Sequence, residues 1–307
     1  MNETIIRTDG LTKRYRQHYA LNNVSINLQR GEIYGFIGQN GAGKTTLFRL
    51  LTGLSFPTRG ELTMFGLSGE RNLAKARRRI GSVIEQPVLY PSMTAYQNLE
   101  VLQIGKGLPN KKEINRVLEY VGLTDTGKKK AQDFSLGMKQ RLALAGALLC
   151  APEILILDEP TNGLDPMNIV ELRLLLKRLC EESGTTILLS SHILSELYQL
   201  ATQYFIMHQG RIVESLTLPQ LDEKCRRAVR IRVNDAALGA VALERGLQTA
   251  NYRVLPDQTI LLYDYTDQVE RVSRALSEGG LAILEIGLRG DSLEDYFIQA
   301  IGGNKNA

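Results

Sequence analysis

Lys44 and Thr45 close the segment GQNGAGKT, which begins at Gly38 and fits the pattern G-x-x-x-x-G-K-[ST]. Glycines in such a loop let backbone N–H groups approach phosphate oxygens, and a helix starting at the lysine adds the positive end of its dipole. Lys44 would reach the β- and γ-phosphates of a nucleotide, and Thr45 would offer its hydroxyl to Mg²⁺. Downstream, ILILDEP is an apolar run that ends in Asp158 and Glu159. The first carboxylate suits the magnesium side of the same site. The second suits the edge where the γ-phosphate lies, as a general base that polarises an attacking water. His192 ends TTILLSSH at another strand terminus, placed to contact the γ-phosphate and to pair with Glu159. Asp133 to Arg141, DFSLGMKQR, adds a serine, a glycine-containing turn and a helix start, which together make a second anion-binding element in a chain that already has one.

These side chains need elements to hold them. EIYGFIG reads as an apolar strand that leads into the glycine loop, and KTTLFRLLTGL (Lys44 to Leu54) reads as the helix after it. Before them come two short alternating runs, TIIRTDGL and VSINL. From about 87 to 151 the pattern is helical, and strand character returns with EILILDEP, TTILLSS and YFIMHQGRIVES. A helical block therefore interrupts a parallel α/β sheet. After about Leu216 the texture changes to the order βαββαβ: AVRIRV, DAALGAVALERGL, two strands around Pro256 and Asp257, DQVERVSRALSEGG and AILEIGL, before a closing helix. That order predicts a ferredoxin-like or similar small α/β domain over 217–307, without catalytic or metal-site spacing.

At 307 residues, two domains are the expectation. The net charge of +4 is too small to imply nucleic acid, and the runs Arg77–Arg79 and Lys128–Lys130 read as solvated faces. The longest apolar run, LALAGALLCA, is far short of the roughly twenty residues of a membrane span. The N-terminus lacks a signal-peptide pattern, and Cys150, Cys180 and Cys225 are odd in number and widely spaced. Free thiols in the cytoplasm are the expectation.

GQNGAGKT, SLGMKQR, ILILDEP, GLD and the strand-end histidine, at this spacing, resemble the ATP-binding subunits of ABC transporters over residues 1 to about 216. The segment SLGMKQR is similar to the signature of the bacitracin- and lantibiotic-export type rather than to the commoner LSGGQ. The resemblance implies a P-loop NTPase cassette, with a mixed sheet core and a helical signature subdomain. ATP would be cradled by Gly38, Gln39, Asn40, Gly41, Ala42, Gly43, Lys44, Thr45 and Thr46, with Tyr15 stacked on adenine. It implies a dimer in which Ser135, Gly137 and Met138 contact the ATP of the opposing subunit, and in which Asp165 of NGLD lies on the seam. Aligning IGSVIEQP with the family puts Glu85 where a magnesium-contacting glutamine usually sits, with Gln86 as the alternative. Thr45, Asp158 and one of these two would serve the metal, and Glu159 and His192 the chemistry. PVLYPSMTAYQNL would receive a separate integral membrane permease, or else is an ordinary helix start capped by Ser92 or Thr94. The implied function is ATP-driven export, of an antimicrobial peptide or antibiotic, from a position on the inner face of the membrane. The competing reading is a soluble ABC ATPase acting on ribosomes or DNA. The single P-loop weighs against it, as does the lack of a sustained heptad run between Thr45 and Ser135.

Overall fold

Two long strands open the chain, β1 (Thr4–Tyr15) and β2 (His18–Gln29), in a computed structural model that describes residues 3–85, 88–108, 112–225, 227–289 and 293–302. They pair antiparallel, with register shifts near Gly10 (φ 57°) and Asn23 (φ 59°). Each shift resets the inside–outside alternation. The runs TIIRTDGL and VSINL therefore extend into strands of 12 residues each rather than standing as short ones.

β3 (Ile33–Ile37) leads into α1 (Lys44–Thr52), which Gly53 ends in a left-handed cap (φ 81°), before the expected Leu54. Then come β4 (Arg59–Met64), β5 (Leu67–Ser68), α2 (Glu70–Arg77) and β6 (Ile80–Val83). The helical block is α3 (Ala95–Gly105), α4 (Lys112–Tyr120) and α5 (Leu136–Leu148). Thr94 caps α3 in a reciprocal arrangement with Gln97, which decides between Ser92 and Thr94. After the block come β7 (Ile154–Leu157), α6 (Pro166–Ser183), β8 (Thr186–Ser191), α7 (Leu194–Tyr198), β9 (Gln203–His208) and β10 (Arg211–Thr217). YFIMHQGRIVES is thus a hairpin and not one strand, turning at Gln209 (φ 47°) and Gly210 (φ 74°).

One sheet has the antiparallel order β2-β1-β4-β5. The other has the order β10-β9-β3-β8-β7-β6, parallel except for β10. Ile6 and Leu28 from the first, Ile156 and Met207 from the second, and Phe48 of α1 share one core. β3, β7 and β8 are buried at every residue, because parallel strands are covered on both faces. Ile37 stands opposite Ser191, and Leu157 opposite Leu189. β3 and β8 therefore end level, with Gly38 and His192 immediately beyond them, while β7 ends two residues short of β8, with Asp158 next.

Arg77 and Arg79 are not on a solvated face. Arg77 donates to the Leu50 and Leu51 carbonyls and pairs with Glu70, while Arg79 pairs with Glu153 and lies 3.6 Å over the Phe65 ring. Lys128, Lys129 and Lys130 are exposed. Among the described residues, no helix is long and apolar enough to cross a membrane.

The chain divides into two compact units, Met1–Leu218 with Ala300–Ala307, and Pro219–Gln299. After α8 (Leu218–Cys225), the second unit runs β11 (Ala228–Val233), α9 (Ala236–Leu247), β12 (Tyr252–Val254), β13 (Ile260–Leu262), α10 (Val269–Glu278) and β14 (Ile283–Arg289), and α11 (Leu293–Gly302) follows. Its sheet order is β12-β13-β11-β14 with every pairing antiparallel, a split βαβ arrangement. Val229 and Ile231 of the sheet pack with Leu243 of α9 and Leu276 of α10.

Candidate active site

The loop from Gly38 to Gly43 is held from three directions. The Gly38 N–H donates to the Ser191 carbonyl at the end of β8 (3.3 Å), and the Gly210 N–H donates to the Ala42 carbonyl (3.0 Å). From β2, the Ala20 carbonyl oxygen lies 2.6 Å from the point a Cβ on Gly43 would occupy. Gly43 has φ 107°, a conformation that side-chain-bearing residues rarely adopt, and a Cβ on Gly38 would fall 2.7 Å from the Met207 carbonyl. The backbone therefore comes as close to its surroundings as glycine alone permits. α1 begins directly at Lys44 with no side-chain cap, so the N–H groups of its first turn, at Lys44, Thr45 and Thr46, have no acceptor within the helix. That is an anion cradle, and it fits a nucleotide phosphate.

Lys44, only 5% exposed, donates from Nζ to the Gly38 carbonyl (2.6 Å) and lies 3.3 Å from Glu159 Oε1. The other oxygen of Glu159, Oε2, is 2.9 Å from His192 Nδ1. Glu159 therefore sits between the lysine and the histidine. Its φ of 47° places it in the left-handed region, a strained setting that recurs at functional positions. Asp158 is buried, with Oδ2 accepting from Thr45 Oγ1 (2.6 Å) and Oδ1 from Ser190 Oγ (2.6 Å). Ser190 Oγ also accepts the Glu159 N–H (2.8 Å). The Thr45 hydroxyl and the Asp158 carboxylate are hard oxygen donors, of the kind Mg²⁺ takes. Among the described residues, no cluster of three or more His, Cys, Asp or Glu is placed to hold a metal alone. The donor set therefore suits an ion that arrives with phosphate oxygens and keeps waters.

Ser135 is the N-cap of α5, its Oγ accepting from the Met138 N–H (3.2 Å). Gly137 packs against the start of α6: a Cβ there would fall 2.5 Å from Asn168 Oδ1. Asn168 in turn bonds Asp165, which accepts from its backbone N–H (2.9 Å) and its side-chain amide (2.6 Å). These two bonds hold the Asp165 carboxyl below the usual carboxylate range, the backbone bond contributing most. A Cβ on Gly163 would fall 3.0 Å from Leu136 Cδ2. The structure thus joins the signature turn to the NGLD loop, while among the described residues neither the hydrogen bonds of Ser135 and Met138 nor the atoms nearest Gly137 belong to the Gly38–Thr46 loop.

Tyr15 ends β1, half exposed, near the tip of the hairpin whose second strand supplies Ala20 to the loop. Lys13 Nζ stands 4.9 Å over its ring. Glu85 (φ 63°) forms an ion pair with Arg49 of α1. Gln86 lies outside the described residues.

The sequence reading missed Ser190, Asn168, Gln140, Glu196 and Arg49. Gln140 Nε2 donates to the Pro160 carbonyl (3.0 Å), and Glu196 Oε2 accepts from Thr161 (2.7 Å) and Ser191 (3.0 Å). The register of β7 against β8 reveals the role of Ser190, the packing of α5 against α6 that of Asn168, and side-chain bonds across the fold those of Gln140, Glu196 and Arg49. The doubled serine of TTILLSSH was the one available signal.

Comparison with known proteins agrees with this geometry. A family model described as "ABC transporter" matches residues 21–162. The chain is 43% identical over 300 residues to the bacitracin transport ATP-binding protein BcrA of Bacillus licheniformis, covering 98% of each chain. It is 43% identical over 209 residues to the lantibiotic transport ATP-binding protein SrtF of Streptococcus pyogenes, covering 68% of this chain and 89% of that one. Among solved structures, it resembles a dimeric ATP-binding cassette in a post-hydrolysis state bound to ADP and Pi. That likeness has a TM-score of 0.64 at 30% identity and covers 70% of this chain and 99% of the other.

Proposed function

This chain belongs to the ABC transporter ATP-binding proteins and is an ATPase of that family; from that premise, we propose that two copies enclose two ATPs and drive a separate integral membrane permease that exports an antimicrobial peptide or antibiotic. The cargo class rests on the likeness to BcrA and SrtF over most of each chain. The chain would sit on the inner face of the membrane through that permease. Val88 and Tyr90, exposed just before α3, offer the permease an apolar contact.

In each site, the N–H groups opening α1 and the Lys44 ammonium hold the β- and γ-phosphates. Thr45 and Asp158, with Glu85 or Gln86 beside them, would hold Mg²⁺, which when bound would neutralise charge on those oxygens. Glu159 takes a proton from water as the water oxygen attacks the γ-phosphorus, and the bond to the leaving ADP oxygen breaks. His192 fixes the orientation of that carboxylate through its 2.9 Å contact. Ser135, Gly137 and Met138 serve the ATP of the opposing copy. The observation that carries this reading is the placement of the signature turn. It packs on the Asp165–Asn168 segment, and the partners it has among the described residues lie there rather than in its own phosphate loop. Ser135 also keeps a hydroxyl hydrogen to donate, since its bond to Met138 uses a lone pair.

A covalently linked dimer tests the arrangement. With Lys44→Ala in one half and Ser135→Arg in the other, one shared site carries both lesions and the second is intact, so ATPase activity survives. With both lesions in the same half, each shared site carries one lesion, so activity is lost. The reverse result would show that each signature serves its own chain's nucleotide.

A further inference from the structure

We propose that Ser190 is a positioning residue that sets both acidic groups of the site, an inference that rests on the roles proposed above for Asp158 and Glu159. Its side chain is wholly buried at the penultimate position of β8, opposite Phe36 of β3, in a run that otherwise reads as strand core. A serine hydroxyl has one hydrogen and two lone pairs. Here the hydrogen goes to Asp158 Oδ1 (2.6 Å), and one lone pair receives the Glu159 N–H (2.8 Å). A single oxygen thus fixes one carboxylate by its side chain and the next residue by its backbone.

Each bond has a separate consequence. Thr45 holds Oδ2 of Asp158, so Ser190 completes a two-point restraint that sets the carboxylate plane. Without Ser190 that plane can turn about the Thr45 contact, and the metal-side oxygen loses its fixed direction. Glu159 has φ 47°, unfavourable for a residue with a Cβ, so something must hold its peptide there. The Ser190 bond does so, and its loss lets the peptide relax and carries the Glu159 carboxylate away from the water it would polarise. Replacement by alanine leaves a buried N–H without a partner and a buried carboxylate oxygen without its donor, which is a larger perturbation than the lost volume.

The test uses the full chain. Mn²⁺ serves as a paramagnetic probe for the metal, titrated by EPR in the presence of ATP and in a Glu159→Gln background, whose turnover is slowed by about 10²-fold or more. Steady-state kcat and KM for ATP are measured in the otherwise unchanged chain. Ser190→Ala should weaken Mn²⁺ binding about tenfold and lower kcat by roughly ten- to a hundredfold, with KM for ATP within about threefold, as expected for losing hydrogen bonds to a charged group. Ser190→Thr, which keeps the hydroxyl, should restore both to within about threefold. Unchanged Mn²⁺ affinity and kcat in Ser190→Ala, with only a lower melting temperature, would reduce Ser190 to packing and overturn the inference. So would a Ser190→Thr chain that melts normally yet behaves like the alanine variant. Asp158→Asn separates the two levels of argument. If it leaves Mn²⁺ binding unchanged, the site assignment itself is wrong. If it weakens Mn²⁺ binding while Ser190→Ala does not, only the role of Ser190 falls.

Discussion

Replacing Gly137 with alanine sets two effects of similar size against each other. Gly137 lies in the first turn of α5, so alanine should gain up to about 1 kcal/mol from reduced backbone freedom in the unfolded chain. The new Cβ would fall 2.5 Å from Asn168 Oδ1 and 2.7 Å from its Cγ, and Asn168 must swing away. That breaks its amide bond to Asp165, an exposed interaction whose loss opposes the gain. The net change in stability should stay within about 1 kcal/mol of zero, a melting shift of less than about 4 °C. Activity should respond differently, because the displaced segment is the proposed seam. ATPase is expected to fall at least about tenfold, as misplacing a contact by an ångström can do. Differential scanning calorimetry and steady-state ATPase on Gly137→Ala, Asn168→Ala and the double variant read both quantities. The double variant, with the obstructing atoms gone, should melt above Gly137→Ala and hydrolyse ATP as fast as Asn168→Ala alone. A Gly137→Ala chain with full activity, or a double variant no better than the single one in either measure, would refute the reasoning.

Glu159→Gln should still bind ATP and accumulate a nucleotide-bound dimer on gel filtration with MgATP, while hydrolysis falls about 10²-fold or more. Glu85→Ala should impair ATPase across a magnesium titration more than Gln86→Ala does; a larger defect from Gln86→Ala would reassign the metal contact. Glu153, held by Arg79 and then by Arg30, has its pKa lowered from 4.5 to about 2. Its ionised form is thus favoured by folding, so its contribution is fully present above about pH 4.5 and is lost as the pH falls toward 2. Glu153 is about one-third exposed, which screens the contribution to about 1 kcal/mol, and Glu153→Gln should lose less melting temperature than the native chain between pH 5.5 and 3.

The phosphate loop and the strand-end acids were legible because phosphate chemistry demands particular residues at contiguous positions, and Lys44, Thr45, Asp158 and Glu159 meet that demand locally. Contacts made across the fold were not. Ser190 looks like a small residue in a strand until Leu157 is seen opposite Leu189, one step before both strands reach their functional ends. Asn168 reads as an ordinary helical polar residue, and only its approach to Gly137 gives it meaning. The strand lengths of β1 and β2 were hidden by bulges, since a period-two pattern breaks wherever one residue is inserted. Arg77 looked solvated because sequence does not show which backbone carbonyls lie in reach, whereas Arg78 is exposed as expected. In the second unit the alternating strands and amphipathic helices are nearly unbroken, so its element order could be read directly.

The bond from Gln140 to Pro160 bears on how two sites would influence each other. Pro160 follows Glu159 in the chain, and Gln140 lies one turn into the helix that begins with the signature residues. The amide oxygen of Gln140, Oε1, is buried with no partner among the described residues, so the bond from Nε2 anchors the side chain. If the signature acts on the opposing nucleotide, any movement of the Glu159 peptide at one ATP reaches the helix start that grips the other. A symmetric dimer contains this linkage twice, once in each direction, as thermodynamic reciprocity between binding sites requires. Occupancy of one site is then coupled to occupancy of the second by the same factor in each direction, so saturation by ATP should depart from a simple hyperbola. Cooperativity of this kind is carried within each chain, by one amide and one carbonyl.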